Sequence, residues 1–173
     1  RNPEQSAIIF MHIAVFSAKS YDREYLGAAN AASGYEITFW DVRLTPETAP
    51  LARGCEVVCA FVNDLLDGEV IAHLAAGGTR LVALRCAGYN HADLCAAASH
   101  GMTIVNVPGY SPHAVAEHTV ALLLALNRRI PQAHARVGRG DFSLDGLMGF
   151  DLCGKTFGLV GTSFCGNQLD LPV

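Results

Sequence analysis

Short runs of branched and aromatic residues alternate along this chain with stretches of helical periodicity. Such runs are typical of buried strands, and Gly, Ser and Pro residues separate them from the helical stretches. Five strands are predicted at residues 12–17, 35–42, 55–62, 81–84 and 102–107. Helices are predicted at residues 23–32, 70–76 and 90–100. Strands alternating with helices at this spacing predict an α/β fold, with a parallel sheet covered by helices on both faces.

A longer helix with a wide apolar face is predicted after the last of these strands, at residues 112–129. Ser111 is a suitable N-cap, and Pro112 occupies the first helical position, where a missing amide costs nothing. Pro131 is expected to end or kink this helix. The Gly-rich, polar residues 135–154 then predict a connection into a second domain.

The composition excludes several classes of function. Hydrophobic residues make up 51% and charged residues 16%, a globular balance, and the net charge of −4 offers no footprint for nucleic acid. The apolar run at residues 119–126 is far shorter than the about 20 residues that cross a bilayer. The six cysteines include no CxxC pair, which favours a reduced, cytoplasmic chain. Cys86, His91 and Cys95 fit no common zinc spacing, so no metal is expected.

Two turns carry the small and polar residues that a binding site needs. They lie at residues 85–90 and 108–112, after the fourth and fifth predicted strands. In a parallel α/β sheet, ligands bind at the carboxyl ends of the strands, where loop amides and helix N-termini offer donors to anions. The sequence therefore places a candidate anion site at these turns.

The motifs LRCAGYNHADL, VPGYSPHAVAEH and LNRRI run through these turns and the long helix. Together they resemble the NAD-dependent D-2-hydroxyacid dehydrogenases, most closely the D-lactate dehydrogenase branch. The resemblance covers Met11 to about Gly161. It implies a hydride transfer between NAD(H) and a small 2-hydroxy or 2-oxo acid, with D-lactate and pyruvate as the expected pair, and a homodimer.

The resemblance also implies a set of substrate-binding residues. Ala87 and Gly88 match positions whose backbone amides hold the substrate carboxylate, and Gly88 lets ligand and backbone approach closely. Arg85 would add positive charge to that pocket, and Tyr110 matches a tyrosine near the substrate. The simpler alternatives are a turn glycine at Gly88, a surface cation at Arg85 and a packed loop aromatic at Tyr110.

Two further motifs match the family with weaker implications for the site. Phe61, Val62 and Asn63 with Asp64 match a turn beside the active site, for which a supporting role is expected. Glu117 and His118 resemble the family's AEH motif on the long helix but are not its catalytic pair. A buried or helix-packing role is expected for both.

The resemblance places a nucleotide-binding turn after one more predicted strand, residues 155–160. Gly161 and Gly166 occupy the first and third positions of a GxGxxG pattern, but Ser163 replaces the glycine that lets the pyrophosphate approach. Pro172 also opposes the helix that would hold the phosphates. NAD binding by this chain is therefore expected to be weak.

The family's catalytic arginine, glutamate and histidine map to no position of this chain, so the resemblance implies a fragment without activity of its own. The expected organisation is a flavodoxin-like substrate domain followed by the first strand of a truncated Rossmann domain. The alternative is a non-enzymatic module, either for dimerisation or for flavodoxin-like binding. The predicted segments are an extension or tag at 1–10, the substrate domain at 11–110, an interdomain helix and connection at 111–152, and the start of the NAD-binding domain at 153–173.

Overall fold

The computed structural model describes residues 11–109 and 111–159 of the 173-residue chain. The chain divides into two compact units, with the break between Pro108 and Gly109. Within the described ranges, no helix is both long enough and apolar enough to cross a membrane.

The first unit is a five-stranded parallel sheet with the order β2-β1-β3-β4-β5. Its strands are β1 (His12–Val15), β2 (Glu36–Phe39), β3 (Val57–Ala60), β4 (Leu81–Leu84) and β5 (Thr103–Val105). Its α-helices are α1 (Ser20–Asn30), α2 (Gly68–Gly77) and α3 (Leu94–Ser99), and a 3-10 turn spans Ala49–Ala52. The predicted α/β fold with a parallel sheet is confirmed. The strand order reverses between β1 and β3, which makes the carboxyl ends of these strands the topological switch point.

The central strand β3 is buried along its whole length and separates two clusters of apolar side chains. Val58 faces the larger cluster, where α2 contributes Ile71 and Leu74. Cys59 points to the opposite face, where Leu26 of α1 covers it. Because neighbouring residues of a strand point to opposite faces, a continuous apolar run is what a strand covered on both sides requires.

The third helix begins later than its sequence pattern predicts. A start at Asn90 is predicted, whereas α3 begins at Leu94 with Asp93 as its N-cap, whose Oδ1 accepts a hydrogen bond from the Ala96 amide at 2.9 Å. The preceding residues are held extended, because Ala92 forms a parallel bridge with Leu66 and the Asp93 amide donates to the Leu66 carbonyl at 2.8 Å. This tie prevents an earlier first turn.

In its described part, the second unit contains two helices, α4 (Pro112–Asn127) and α5 (Ile130–Val137). The long predicted helix is present, but it ends at Asn127, and Arg129 adopts a left-handed backbone with φ 53° that separates the two helices. Pro131 therefore lies in the first turn of a new helix, where its missing amide is tolerated. The hydroxyl of Ser111 caps no amide of α4 in the described part of the chain.

The connection after α5 is fastened to the helices by side-chain hydrogen bonds to backbone. Arg136 Nη1 donates to the carbonyls of Ser143 at 3.2 Å and Asp145 at 2.6 Å. The amide group of Asn127 donates to the Phe150 carbonyl at 2.7 Å and accepts from the Phe150 amide at 3.1 Å. Although its composition is that of a linker, this segment has a defined course.

The additional strand predicted at residues 155–160 is not formed at residues 155–159. A strand is stabilised by hydrogen bonds to a neighbouring strand, and these residues pair with no strand among those described. Residue 160 lies outside the described ranges.

Candidate functional site

The loops that follow β1, β3 and β4 meet at one edge of the sheet, beside the topological switch point. In open parallel sheets this edge is where ligands bind. Four side chains from these loops and from α1 form a polar network here, namely Ser17, Asp22, Asp64 and Arg85. The first three are buried, and the Arg85 side chain is 14% exposed.

Asp64 anchors the loop after β3 to two other segments. Its Oδ1 accepts hydrogen bonds from the Ser17 hydroxyl at 2.6 Å and the Leu44 amide at 2.9 Å, and its Oδ2 accepts from the Phe61 amide at 2.7 Å. The side chain is only 2% exposed. A buried carboxylate needs such donors, because leaving it unpaired would be costly. Asp64 therefore holds the loop after β3 in place from within, and the supporting role expected for its turn stays a prediction.

Ser17 has a left-handed backbone conformation with φ 51°, which is uncommon for a residue other than glycine. The surrounding hydrogen bonds hold it there, because its amide donates to the Val42 carbonyl at 2.9 Å and its hydroxyl donates to Asp64. Backbone strain of this kind persists where the neighbouring structure over-determines it, which is common at functional sites.

The Arg85 side chain points towards the carboxyl ends of the neighbouring strands. Its Nη2 donates to the Phe16 carbonyl at 3.0 Å and its Nη1 to the Cys59 carbonyl at 3.3 Å. Its Nε lies 3.3 Å from Oδ1 of Asp22, and the guanidinium lies 5.4 Å from the centroid of the Phe61 ring. The Arg85 charge is thus balanced by a neighbouring carboxylate. The alternative of a surface cation does not match this geometry, whereas the expectation that Arg85 adds positive charge to the pocket stays a prediction.

Three successive carbonyl groups of the turn after β4, those of Cys86, Ala87 and Gly88, accept hydrogen bonds. The Val107 amide donates to the Cys86 carbonyl at 3.1 Å, and Asn106 Nδ2 donates to the Ala87 carbonyl at 2.8 Å. The Cys86 thiol donates to the Gly88 carbonyl at 3.2 Å. Residues that follow β5 therefore hold the turn that follows β4.

In contrast to these carbonyl groups, two backbone amides of the turn have no hydrogen-bond partner in the described part of the chain. Neither the Ala87 nor the Gly88 amide donates a hydrogen bond to any partner within residues 11–109 and 111–159. Gly88 is exposed, and a Cβ atom built on it would meet nothing within 4 Å. The missing side chain leaves open space beside two amide donors, which is an arrangement that suits an anion.

The remaining predicted site residues divide into two groups. Glu117 and His118 are both exposed on α4, so neither is buried within this chain, and the helix-packing role expected for them stays a prediction; the one buried residue of that helix is their neighbour Ala116. The other predicted residues lie outside the described ranges and stay predictions, namely Tyr110, Gly161, Ser163 and Gly166.

The cysteines around the site are free thiols. Burial raises the pKa of Cys59 and, near the turn, that of Cys86. Thiols with raised pKa values are poor nucleophiles at neutral pH, because the thiolate is the reactive form. Among the described residues, no group of three or more His, Cys, Asp or Glu side chains is arranged to hold a metal ion.

Sequence reasoning missed Asp22 and Asn106, whose partners are distant along the chain. A weak signal existed for each. Asp22 is an acidic residue in the first turn of α1, and its Oδ2 accepts from the Lys19 amide at 2.9 Å, as residues at this position often do. Asn106 is a polar residue directly after a strand, where side chains reach the carboxyl edge.

Comparison with known proteins gives a consistent result. A family profile described as the catalytic domain of D-isomer specific 2-hydroxyacid dehydrogenases matches residues 13–163. A 2-hydroxyacid dehydrogenase homolog from Haemophilus influenzae is 50% identical over 156 residues, which cover 90% of this chain and 47% of that protein. The chain spans about half the length of the curated relatives it matches.

Two solved structures extend the comparison to three dimensions. The apo structure of D-lactate dehydrogenase from Escherichia coli has a TM-score of 0.84 and 46% identity, covering 92% of this chain and 51% of that one. The structure of D-lactate dehydrogenase with NAD+ from Lactobacillus jensenii has a TM-score of 0.66 and 34% identity, with coverage of 92% and 49%.

Proposed function

The chain belongs to the D-isomer specific 2-hydroxyacid dehydrogenase family, and we propose that it supplies the substrate-binding part of an oxidoreductase acting on a small 2-hydroxy or 2-oxo acid. The pair D-lactate and pyruvate is favoured, because several relatives carry the name D-lactate dehydrogenase. In this proposal residues 11–110 form the substrate domain, and residues 111–152 form the helix and connection that follow it.

The observation that carries this proposal is the pair of open amides at Ala87 and Gly88. The substrate carboxylate accepts hydrogen bonds from both, and hydrogen bonds to an ionised acceptor are about twice as strong as neutral ones. Fixing the carboxylate orients the adjacent carbon, which decides the face at which a hydride arrives or leaves. The Tyr110 hydroxyl is proposed to donate a further hydrogen bond, although it lies outside the described ranges.

The proposal gives Arg85 an indirect part. Because its charge is balanced by Asp22 at 3.3 Å, the carboxylate is held through backbone dipoles rather than through this guanidinium. Arg85 ties the loop after β1 to the strand that leads into the turn, since its Nη2 donates to the Phe16 carbonyl at 3.0 Å. Direct contact between Arg85 and the substrate stays a prediction.

NAD(H) supplies or accepts the hydride when it is bound, and the Lactobacillus jensenii relative, whose structure contains NAD+, supports this choice of cofactor. The residues that the sequence offers for NAD, Gly161, Ser163 and Gly166, lie outside the described ranges, so we assign no described residue to the cofactor. This chain by itself is expected to have no dehydrogenase activity, because the family's catalytic arginine, glutamate and histidine map to none of its positions.

The carboxylate site is tested by titrating the 15N-labelled chain with oxamate, an unreactive analogue of pyruvate. We expect the largest amide shifts at Ala87 and Gly88. Gly88→Ala should fold normally, because its Cβ has room, but should lose oxamate binding, because the methyl group occupies the space beside the amides. Gly27→Ala on α1, where a Cβ also meets nothing within 4 Å, is the matched control. Equal oxamate binding by the two variants would contradict the proposal.

Activity is tested separately by following pyruvate-dependent NADH oxidation with the purified chain alone. No rate above background is expected, and the Escherichia coli D-lactate dehydrogenase serves as the active control. Turnover by a preparation free of host dehydrogenase would contradict the inactivity of this chain, while leaving the carboxylate site to the oxamate titration.

A second candidate function, a non-enzymatic dimerisation module, is favoured by the surface of α4. Leu122 is 50% exposed, Leu124 42% and Leu126 67%, and such apolar surface marks interfaces. Association into a homodimer is compatible with either function. The two are distinguished by oxamate, because a module that only dimerises gives no shift at Ala87 or Gly88.

We propose a cytoplasmic location, because the described cysteines are free thiols. All five cysteines within the described ranges are free, including the exposed Cys95 and Cys153. Exposed free thiols persist in reducing compartments.

A further inference from the structure

We infer that Asn106 is a positioning residue that aims the Gly88 amide at the substrate carboxylate. The inference rests on the proposed function, since it concerns the same site. Asn106 follows β5, and its Nδ2 donates to the Ala87 carbonyl at 2.8 Å. Its partly buried side chain thus reaches from one strand end to the turn of the neighbouring strand.

A single peptide unit links Asn106 to the Gly88 amide. The Ala87 carbonyl and the Gly88 amide belong to the same planar, trans peptide group, in which the C=O and N–H bonds point in opposite directions. A donor that fixes the direction of the carbonyl therefore fixes that of the amide. With its carbonyl directed at Asn106, the Ala87–Gly88 peptide presents its N–H to the other side of the turn.

The same relation applies to the two flanking peptide units. The Val107 amide holds the Cys86 carbonyl at 3.1 Å, and the Cys86 thiol holds the Gly88 carbonyl at 3.2 Å. The Val107 donor is a backbone amide, and the Cys86 donor is a thiol, which is a weak hydrogen-bond donor. Asn106 is thus the strong side-chain donor in this arrangement, and substitution there changes one peptide orientation without replacing a residue of the turn.

The alternative for this peptide is rotation about its flanking bonds, which exchanges the positions of carbonyl and amide. A turn in that state presents a carbonyl oxygen, with its partial negative charge, where the carboxylate must sit. The Asn106 hydrogen bond opposes this rotation in the free protein, so the amides need not reorganise when the anion arrives.

The test compares Asn106→Asp with Asn90→Asp in the 173-residue chain. Asn106→Asp keeps the size of the side chain but replaces the donor with an acceptor, which repels the Ala87 carbonyl. Asn90→Asp adds the same charge at the end of the turn itself, at an exposed residue whose side chain has no hydrogen bond within the described ranges. A difference between the variants therefore reports the donor and not the charge.

The first measurement needs no ligand. The residual dipolar coupling of the Gly88 N–H bond reports its orientation, and it should change in Asn106→Asp while keeping its wild-type value in Asn90→Asp. If Asn106→Asp lacks the dispersed spectrum of a folded chain, Asn106→Ala is compared in the same way. A wild-type Gly88 coupling in a folded Asn106 variant would overturn the inference.

The second measurement is the oxamate titration of the same samples. We expect the dissociation constant to rise about tenfold or more in Asn106→Asp, the loss of about one charge-assisted hydrogen bond, and about twofold or less in Asn90→Asp. Equal dissociation constants for the two variants would overturn the inference while leaving the proposed function intact. If oxamate shifts neither Ala87 nor Gly88 in the wild type, the proposed function fails, and the Gly88 coupling still decides whether Asn106 orients the peptide.

Discussion

The Nε atom of Arg85 lies 3.3 Å from Oδ1 of Asp22, and the two side chains are 14% and 10% exposed. One residue directly follows β4 and the other belongs to α1, so this ion pair joins two elements that flank the switch point of the sheet. Because Arg85 also donates to carbonyls of the β1 and β3 segments, its guanidinium has a full set of partners before any ligand is present.

Removing the guanidinium should destabilise the first unit. Arg85→Met is expected to lower the free energy of unfolding by about 3–5 kcal/mol, because it leaves the Asp22 carboxylate buried without its cation. Arg23→Met is the matched control, since Arg23 pairs with Asp41 at 2.7 Å but the two side chains are 45% and 77% exposed. That exposed pair should contribute about 1 kcal/mol or less. Urea denaturation of both variants measures the difference, and equal losses would argue against a structural role for Arg85.

Asp64→Asn should be costly although it changes so few atoms. An amide group cannot accept from the Ser17 hydroxyl and two backbone amides at once, so at least one buried donor loses its partner or meets an NH2 group. The expected loss is about 2–4 kcal/mol in the free energy of unfolding. Asp41→Asn, at an exposed carboxylate, should cost about 1 kcal/mol or less. A urea denaturation midpoint for Asp64→Asn close to that of Asp41→Asn would show that the Asp64 carboxylate is not needed for stability.

The leucines of α4 should separate into two classes by exposure. Leu122 and Leu126 are 50% and 67% exposed, so replacing both with glutamine should change unfolding by about 1 kcal/mol or less while shifting a dimer towards monomer. Leu123 lines an open groove of about 490 Å³ together with Met148 and Phe150. Leu123→Gln should instead lower stability by about 1–3 kcal/mol, because it places a polar group against this packing.

Sedimentation at several protein concentrations measures the association. A wild-type chain that remains monomeric at high concentration would contradict the interface assigned to α4.

The rate at which each cysteine is alkylated should depend on its exposure and on the pKa of its thiol. Iodoacetamide is expected to modify the exposed Cys95 and Cys153 first, Cys86 more slowly and the buried Cys59 last. Burial raises the pKa of Cys86 and of Cys59, so less of each is thiolate at neutral pH. The rate at Cys86 should rise about tenfold per pH unit while the pH stays below its pKa. Peptide mass spectrometry over time follows each site, and modification of Cys86 as fast as that of Cys153 would be the contrary result.

Gly149 should tolerate no side chain. A Cβ at this position would collide with the carbonyl oxygen of Asn127 and approach its Oδ1 to 3.1 Å. Gly149→Ala is expected to cost about 1–3 kcal/mol and to break the pair of hydrogen bonds between Asn127 and Phe150. Gly158→Ala is the control, because a Cβ there meets nothing within 4 Å. Hydrogen exchange at Phe150 should increase only in Gly149→Ala, and unchanged protection there would refute the collision.

Local signals were sufficient for much of the fold. Strand β4 is formed at the predicted residues, because an apolar run lies between a glycine turn and the polar residues of the next turn, and the chain there needs no distant information. The start of α3 was wrong because Ala92 is held extended by Leu66, a partner that no local pattern specifies. The strand predicted after residue 154 failed for the related reason that a strand needs a neighbour.

The residues of the candidate site also fall into two groups, those that a local pattern indicates and those that depend on distant contacts. Ala87 and Gly88 could be proposed as site residues from their motif, whereas Asp22 and Asn106 are recognised only from contacts across the sheet. Arg85 could be placed at this edge from the sequence, but its pairing with Asp22 could not, because a sequence gives the presence of a cation and not the partner that it contacts.

The hydrogen bond from Arg85 to the Phe16 carbonyl joins residues 69 positions apart. During synthesis, the loop after β1 therefore leaves the ribosome long before the side chain that completes it. The turn after β4 gains its hydrogen-bond donors later still, since Asn106 and Val107 follow the last strand of the sheet. Because contacts between distant residues form slowly, we expect the contacts of Arg85 with the loop after β1 to be among the last in the first unit to form, after the central strands have paired. A partly synthesised chain would thus have a sheet but no site.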